Sequence, residues 1–204
     1  MNPAKQGFAV SVAQTAVFGI LMFTGIGVHA QLNPRPFSAD QITTRGNKTT
    51  TAKVYGTEKA IRVESKDNKG KQSINIMRLD QKAVWVLMPD QKMYMDMGKL
   101  GAASMDMATS VEGAKVERES VGSEQVGAYH CDKYRVRATL EGHVYTSFEW
   151  DAKELSGFPV KQASEKGDWS KEFQNVQLGP QDPSLFEIPP GYTKMSLGGM
   201  LGNR

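Results

Sequence analysis

The sequence predicts an all-β domain with one small helical lid, on two observations. Turn residues recur at Gly56-Thr57-Glu58, Asp67-Asn68-Lys69-Gly70, Leu79-Asp80-Gln81, Pro89-Asp90, Glu141-Gly142 and Gly167-Asp168. Between them, apolar and polar residues alternate with a period of two, so that successive side chains face opposite sides of a strand. Turn spacings near ten residues argue for antiparallel strands joined by hairpins, about ten or eleven of them.

The amino end reads as a secretory signal. Lys5 is its only charged residue, Phe8 to Val28 is apolar or small, and Val28-His29-Ala30 offers modest side chains where a signal peptidase cuts. The most apolar stretch, Ala16 to Ile26, is short for a bilayer span of roughly 20 residues. It is also broken by glycines. Cleavage after Ala30 is expected, followed by a single domain over 31–195 and a glycine-rich tail over 196–204.

The strands follow in order. Ile61 and Val63 alternate with Arg62 and Glu64, and Ile74 and Ile76 with Ser73 and Asn75. Tyr134, Val136, Ala138 and Leu140 alternate with Lys133, Arg135, Arg137 and Thr139. Val144, Thr146, Phe148 and Trp150 alternate with Tyr145, Ser147 and Glu149. In each, the apolar set is expected inward and the polar set in water. One hairpin departs from the pattern. Ala83 to Met88 is apolar on both faces, and its partner Gln91 to Met97 carries Met93, Met95 and Met97 on one face with Tyr94 on the other. A strand apolar on both sides is covered on both sides. Lys99 to Ser110, with Leu100, Ala102, Ala103, Met105, Met107 and Ala108, is the helix expected to cover it.

The chemistry of the chain is sparse. Its net charge is +3, with both signs interleaved, which is a solvated surface and not a nucleic-acid stripe. No phosphate-binding glycine loop or nucleophile elbow is present, and no cofactor is expected. Cys131 is the single cysteine, expected to be a buried, slowly reacting thiol. His130 lies beside it, but neighbouring strand residues point to opposite faces, which discourages a nucleophile–base pair. The methionines are the compositional anomaly, seven of eleven falling between Met77 and Met107. Thioethers suit Cu(I). Same-face side chains along a strand are roughly 6–7 Å apart, however, which is wide for ligands of one ion. Flexible apolar side chains lining a surface that adapts to variable shapes is the reading preferred here.

Several segments together resemble a known group: Phe37-Ser-Ala-Asp40, Lys53-Val-Tyr55, Lys59-Ala-Ile-Arg-Val-Glu64, Ile76-Met-Arg-Leu-Asp80, Val84 through Tyr94, Gly127 through Tyr134, and Pro183 through Tyr192. They resemble an exported bacterial family, the domain of unknown function numbered 4412. More distantly they are similar to periplasmic lipoprotein carriers of the LolA/LolB type. The resemblance implies a curved, half-open antiparallel β-barrel with an apolar concave face and a helical lid, which in the carriers holds lipoprotein acyl chains. The amphipathic amino-terminal lid helix of the carriers has no counterpart here.

The expected function is therefore non-enzymatic binding, in the periplasm, of an acyl chain, lipid or lipidated protein. The expected lining is Ile74, Ile76, Trp85, Leu87, Met93, Met95 and Met97. An interaction or sensing module with a self-filled core and an envelope protein partner is the alternative. A methionine-rich Cu(I) site is third.

Overall fold

The computed structural model describes residues 35–98, 101, 115–140 and 143–195. The expected signal, tail and lid helix lie outside the described residues, except that Gly101 of the lid is described. Twelve strands form: β1 (Phe37–Arg45), β2 (Lys48–Gly56), β3 (Ala60–Lys66), β4 (Gln72–Arg78), β5 (Ala83–Met88), β6 (Met93–Asp96), β7 (Lys115–Val126), β8 (Tyr129–Leu140), β9 (His143–Ala152), β10 (Phe158–Ser164), β11 (Trp169–Leu178) and β12 (Thr193–Met195). The all-β class is as expected. Among the described residues, no helix is long and apolar enough to cross a membrane.

The strands divide into two compact units. The first has the order β12-β6-β5-β4-β3 and the second β2-β1-β11-β10-β9-β8-β7. In neither unit does the strand order close on itself. One departure from the expected antiparallel pattern is β12, which pairs in parallel with β6 through Thr193↔Met93, Lys194↔Tyr94 and Met195↔Met95. It is clipped there by Lys194 Nζ on Asp96 Oδ2 at 2.8 Å, a pairing that holds the Asp96 carboxyl below its usual range. Three residues are too few to show a period, so this strand left no trace in the sequence.

Three bulges bend the second unit. Asn175, in the left-handed region at φ 52°, is the extra residue of β11 opposite Ser38 to Asp40 of β1. Val160 is the extra residue of β10, next to Pro159. A proline with no N–H to donate is tolerated at such a bulge inside a sheet. Val121 and Gly122 bulge β7, at an edge of the unit.

Candidate functional site

Register decides which side chains share a face, because residues directly opposite point the same way. In the first unit, β4 and β5 align Ile74↔Leu87 and Ile76↔Trp85, and β5 and β6 align Leu87↔Tyr94 and Trp85↔Asp96. Ile74, Ile76, Trp85 and Leu87 therefore lie on one face. The opposite face carries Met77↔Val84, Val86↔Met95 and Met88↔Met93, with Met195 across from Met95. The seven expected lining residues do not form one surface. Four belong to the isoleucine face, and Met93, Met95 and Met97 belong to the other.

The methionine face is a continuous layer. Met77, Val84, Val86, Met88, Met95 and Met97 pack as one buried cluster, and Ile61, Leu79, Met93 and Met195 are partly buried against it. Gly101 packs against this layer. The amide of Gly101 donates to the Met97 carbonyl at 3.1 Å, and a Cβ added there would stand 2.9 Å from Val84 Cβ. Such an approach admits only glycine.

The isoleucine face carries charge as well. Arg62 lies opposite Ile76, so the apolar set of β3, Ile61 and Val63, faces with Met77 and Asn75 instead of with the isoleucines. This corrects the expectation that Arg62 is in water. Its guanidinium is held by two hydrogen bonds, to Glu64 Oε1 at 2.6 Å and to the Leu185 carbonyl at 2.8 Å. The carbonyl comes from the 3-10 turn Pro183–Phe186, which is started by Asp182 accepting from the Ser184 amide. Arg78 makes a two-pronged pair with Asp80 and also reaches Glu187. The period-two signal gave spacing but not the side, and both faces of this sheet carry buried side chains.

The second unit holds a site the sequence reading missed. One row of residues runs in register across its strands: Thr50↔Thr43, Thr43↔Lys171, Lys171↔Gln162, Gln162↔Glu149, Glu149↔Tyr134. Four of these are polar and almost wholly buried: Thr43 5%, Lys171 3%, Gln162 6% and Glu149 4% exposed. Glu149 accepts from Arg118 at 2.9 Å and from Gln162 Nε2 at 2.8 Å. Arg118 also pairs with Asp151 and stacks 3.5 Å over the Tyr134 ring. Burial pushes the Lys171 ammonium down to about 8, against the opposing field of Glu149. Burial, with the nearby Glu149 charge, raises the Asp151 carboxyl against the pull of Arg118. Gln162 Oε1, Asp151 Oδ1 and Arg118 Nε have no hydrogen-bond partner among the described residues.

This row also corrects the reading of β9. Glu149 lies across from Tyr134, on the inward side of β8, whereas Trp150 and Phe148 lie across from Lys133 and Arg135. Lys133 and Lys161 cover the Trp150 ring at 4.8 and 5.0 Å, so Trp150 is buried under lysine stems. The same unit has an apolar end, where Phe37, Phe158 and Phe173 meet edge to face at 4.9–5.9 Å. The Phe37 ring lies on Gly56, where any Cβ would stand 2.3 Å from the ring.

Cys131 and His130 are not brought together as a pair. His130 is exposed, with Nδ1 at 2.8 Å from Glu154 Oε1, while Cys131 is buried and donates toward the Tyr129 carbonyl at 3.7 Å. Among the described residues, no three His, Cys, Asp or Glu side chains gather as metal ligands.

No curated protein matches the chain in sequence. Among solved structures, the chain is similar to the Mycobacterium tuberculosis lipoprotein LppX, with 12% identity and a TM-score of 0.49, over 82% of this chain and 98% of that one. It is also similar to MucB in complex with MucA(peri), with 13% identity and a TM-score of 0.42, over 89% of this chain and 63% of that one. The Pseudomonas aeruginosa MucA/MucB complex gives 14% identity and a TM-score of 0.40, over 83% and 60%. The chain thus spans under two thirds of the MucB structures it matches. A family model, the domain of unknown function DUF4412, matches residues 41–148. That segment is more than half of the 204 residues and includes β3 through β6, so the chain belongs to the DUF4412 family.

Proposed function

We propose that this is an exported, non-enzymatic binding protein that takes an acyl chain, lipid or lipidated protein against the methionine face of β3–β6. The carrying observation is that layer. Met77, Met88, Met95 and Met97 are buried on one face, and Met93 and Met195 remain partly exposed at its margin with Ile61 and Leu79. Unbranched thioether side chains refill gaps of different shape at little cost. Each methylene buried there stabilises a complex by about 0.8 kcal/mol without demanding fixed geometry. Export to the periplasm rests on the signal-like amino end. Amino-terminal sequencing of envelope protein should start at Gln31, and an intact Met1 would count against it.

A second reading, a self-filled interaction module, is favoured by Gly101, which brings the chain's own backbone onto Val84. One experiment separates these two readings from a Cu(I) site. An apolar fluorescent probe, and Cu(I) with a competing chelator, are titrated into wild type, Met95→Leu and Met95→Asp. The proposal expects probe binding by wild type, nearly unchanged in Met95→Leu. That variant is expected to lose less than about 1.5 kcal/mol of stability, because Leu and Met are close in volume. Met95→Asp should lose both probe binding and stability, since it buries an unpaired charge. No probe binding by folded wild type supports the self-filled module. Tight Cu(I) binding lost in Met95→Leu, without probe binding, supports the metal site.

A further inference from the structure

The polar row of the second unit is a poor device for stability. Taking an ammonium and a carboxylate out of water costs several kcal/mol each, and apolar packing in their place is often neutral or stabilising. Buried ionisable groups with shifted titration cluster at functional sites. We propose that Lys171, Gln162 and Thr43 form a binding site for the phosphate monoester headgroup of an amphiphilic ligand.

Three features point to that chemistry. Lys171 supplies a buried cation one strand from Gln162, a spacing of about 4.8 Å that a single phosphate spans. Gln162 commits its Nε2 to Glu149, and its Oε1 is a buried acceptor without a partner. A phosphate monoester as the monoanion carries oxygens for an ammonium and one P–OH to donate to such an acceptor. Thr43 Oγ1 accepts from Gln41 Nε2 at 3.1 Å, which leaves its hydroxyl proton for a phosphate oxygen. The carboxylates facing the row do not repel the anion freely, because Arg118 pairs with both Glu149 and Asp151.

The apolar end of the same unit gives the ligand its second character. Phe37, Ala39, Val54, Val160 and Phe173 are buried, and Phe158 meets both phenylalanines. Gln41 and Phe173, adjacent in register, lie two residues from Thr43 and Lys171, so the apolar end and the row adjoin on one sheet. This site is separate from the methionine face and stands without it.

Calorimetric titration of dodecyl phosphate below its micellar concentration tests the proposal, with inorganic phosphate and dodecyl maltoside as the other arms. Wild type should bind dodecyl phosphate. Lys171→Met should weaken that binding at least about tenfold and Gln162→Leu less, as expected for losing a charge-assisted and a neutral hydrogen bond. In wild type, NMR titration of the Lys171 ammonium should move to higher pH with the probe bound, because the anion favours the charged form. Equal binding by Lys171→Met, an unmoved Lys171 titration, or no binding by wild type would overturn the site. Dodecyl maltoside binding as tightly overturns the headgroup chemistry, and inorganic phosphate binding as tightly overturns the amphiphile. An apolar probe held equally by wild type and Lys171→Met, alongside loss of dodecyl phosphate, keeps this result distinct from the methionine-face reading.

Discussion

Cys131 has no solvent exposure, although it sits one residue from the exposed His130. Burial is the main force that pushes its thiol up to about 11, with Glu154, Asp151 and Asp132 adding unfavourable negative field. At neutral pH almost no thiolate forms, and the thiolate is the reactive species. Labelling of the native protein by a thiol reagent at pH 7.5 should therefore be slow. It should accelerate by on the order of a hundredfold when denaturant opens the fold. Fast native labelling, or a disulfide-linked dimer, would contradict this burial. The burial of the single cysteine was readable from its residue type, since free cysteines are among the most buried side chains, and not from alternation, which puts Cys131 in phase with Lys133 and Arg135. Lys171 was not. A lysine reads as solvated by its type even though it shares the face of Phe173, and the register of β11 with β1 and β10 shows it in a buried row.

Among the elements, β11 shows how the strands acquire their bends. Asn175 adopts φ 52° and its Nδ2 donates to Asp40 Oδ2 at 2.7 Å, on the neighbouring strand. The extra residue lets Val176 turn inward while Asn175 and Gln177 stay exposed. Asparagine tolerates this conformation better than a β-branched residue does. Asn175→Val should lower stability by about 1–2 kcal/mol, from left-handed strain. Asn175→Gly, which relaxes the backbone but drops the hydrogen bond, should stay within about 0.5 kcal/mol of wild type. Urea midpoints of the three proteins check the order, and an unaffected Asn175→Val would mean that the bulge is not fixed by this residue. Element positions of this kind were largely legible, since the turn residues punctuate the strands at the predicted places. The faces were less so. β3 and β9 alternate correctly, yet β3 sets Arg62 beside Ile76 and β9 sets Glu149 beside Tyr134, so polar side chains lie on faces expected to be apolar. Alternation fixes a period, and only pairing fixes the phase.

At the scale of the whole molecule, stability should carry the signature of the buried row. Lys171 titrates at about 8 in the folded protein, against about 10.4 in an unfolded chain. Between those values the unfolded state binds more protons, so Lys171 makes stability rise with pH; below about 8 both states are protonated and its burial penalty is present in full. Cys131 acts in the opposite sense. Its thiol, raised to about 11, keeps its proton in the folded state where the unfolded thiol has lost it, and this lowers stability as pH rises through the alkaline range. Wild type alone would mix the two effects, but comparison with Lys171→Met removes the cysteine, which both proteins contain. The stability of Lys171→Met relative to wild type should fall by about 2–3 kcal/mol between pH 7 and pH 10, at 1.36 kcal/mol for each unit of the shift. Denaturant unfolding at the two pH values measures it. A relative stability that does not change would mean that Lys171 titrates normally, and the row would then have water access that its burial denies.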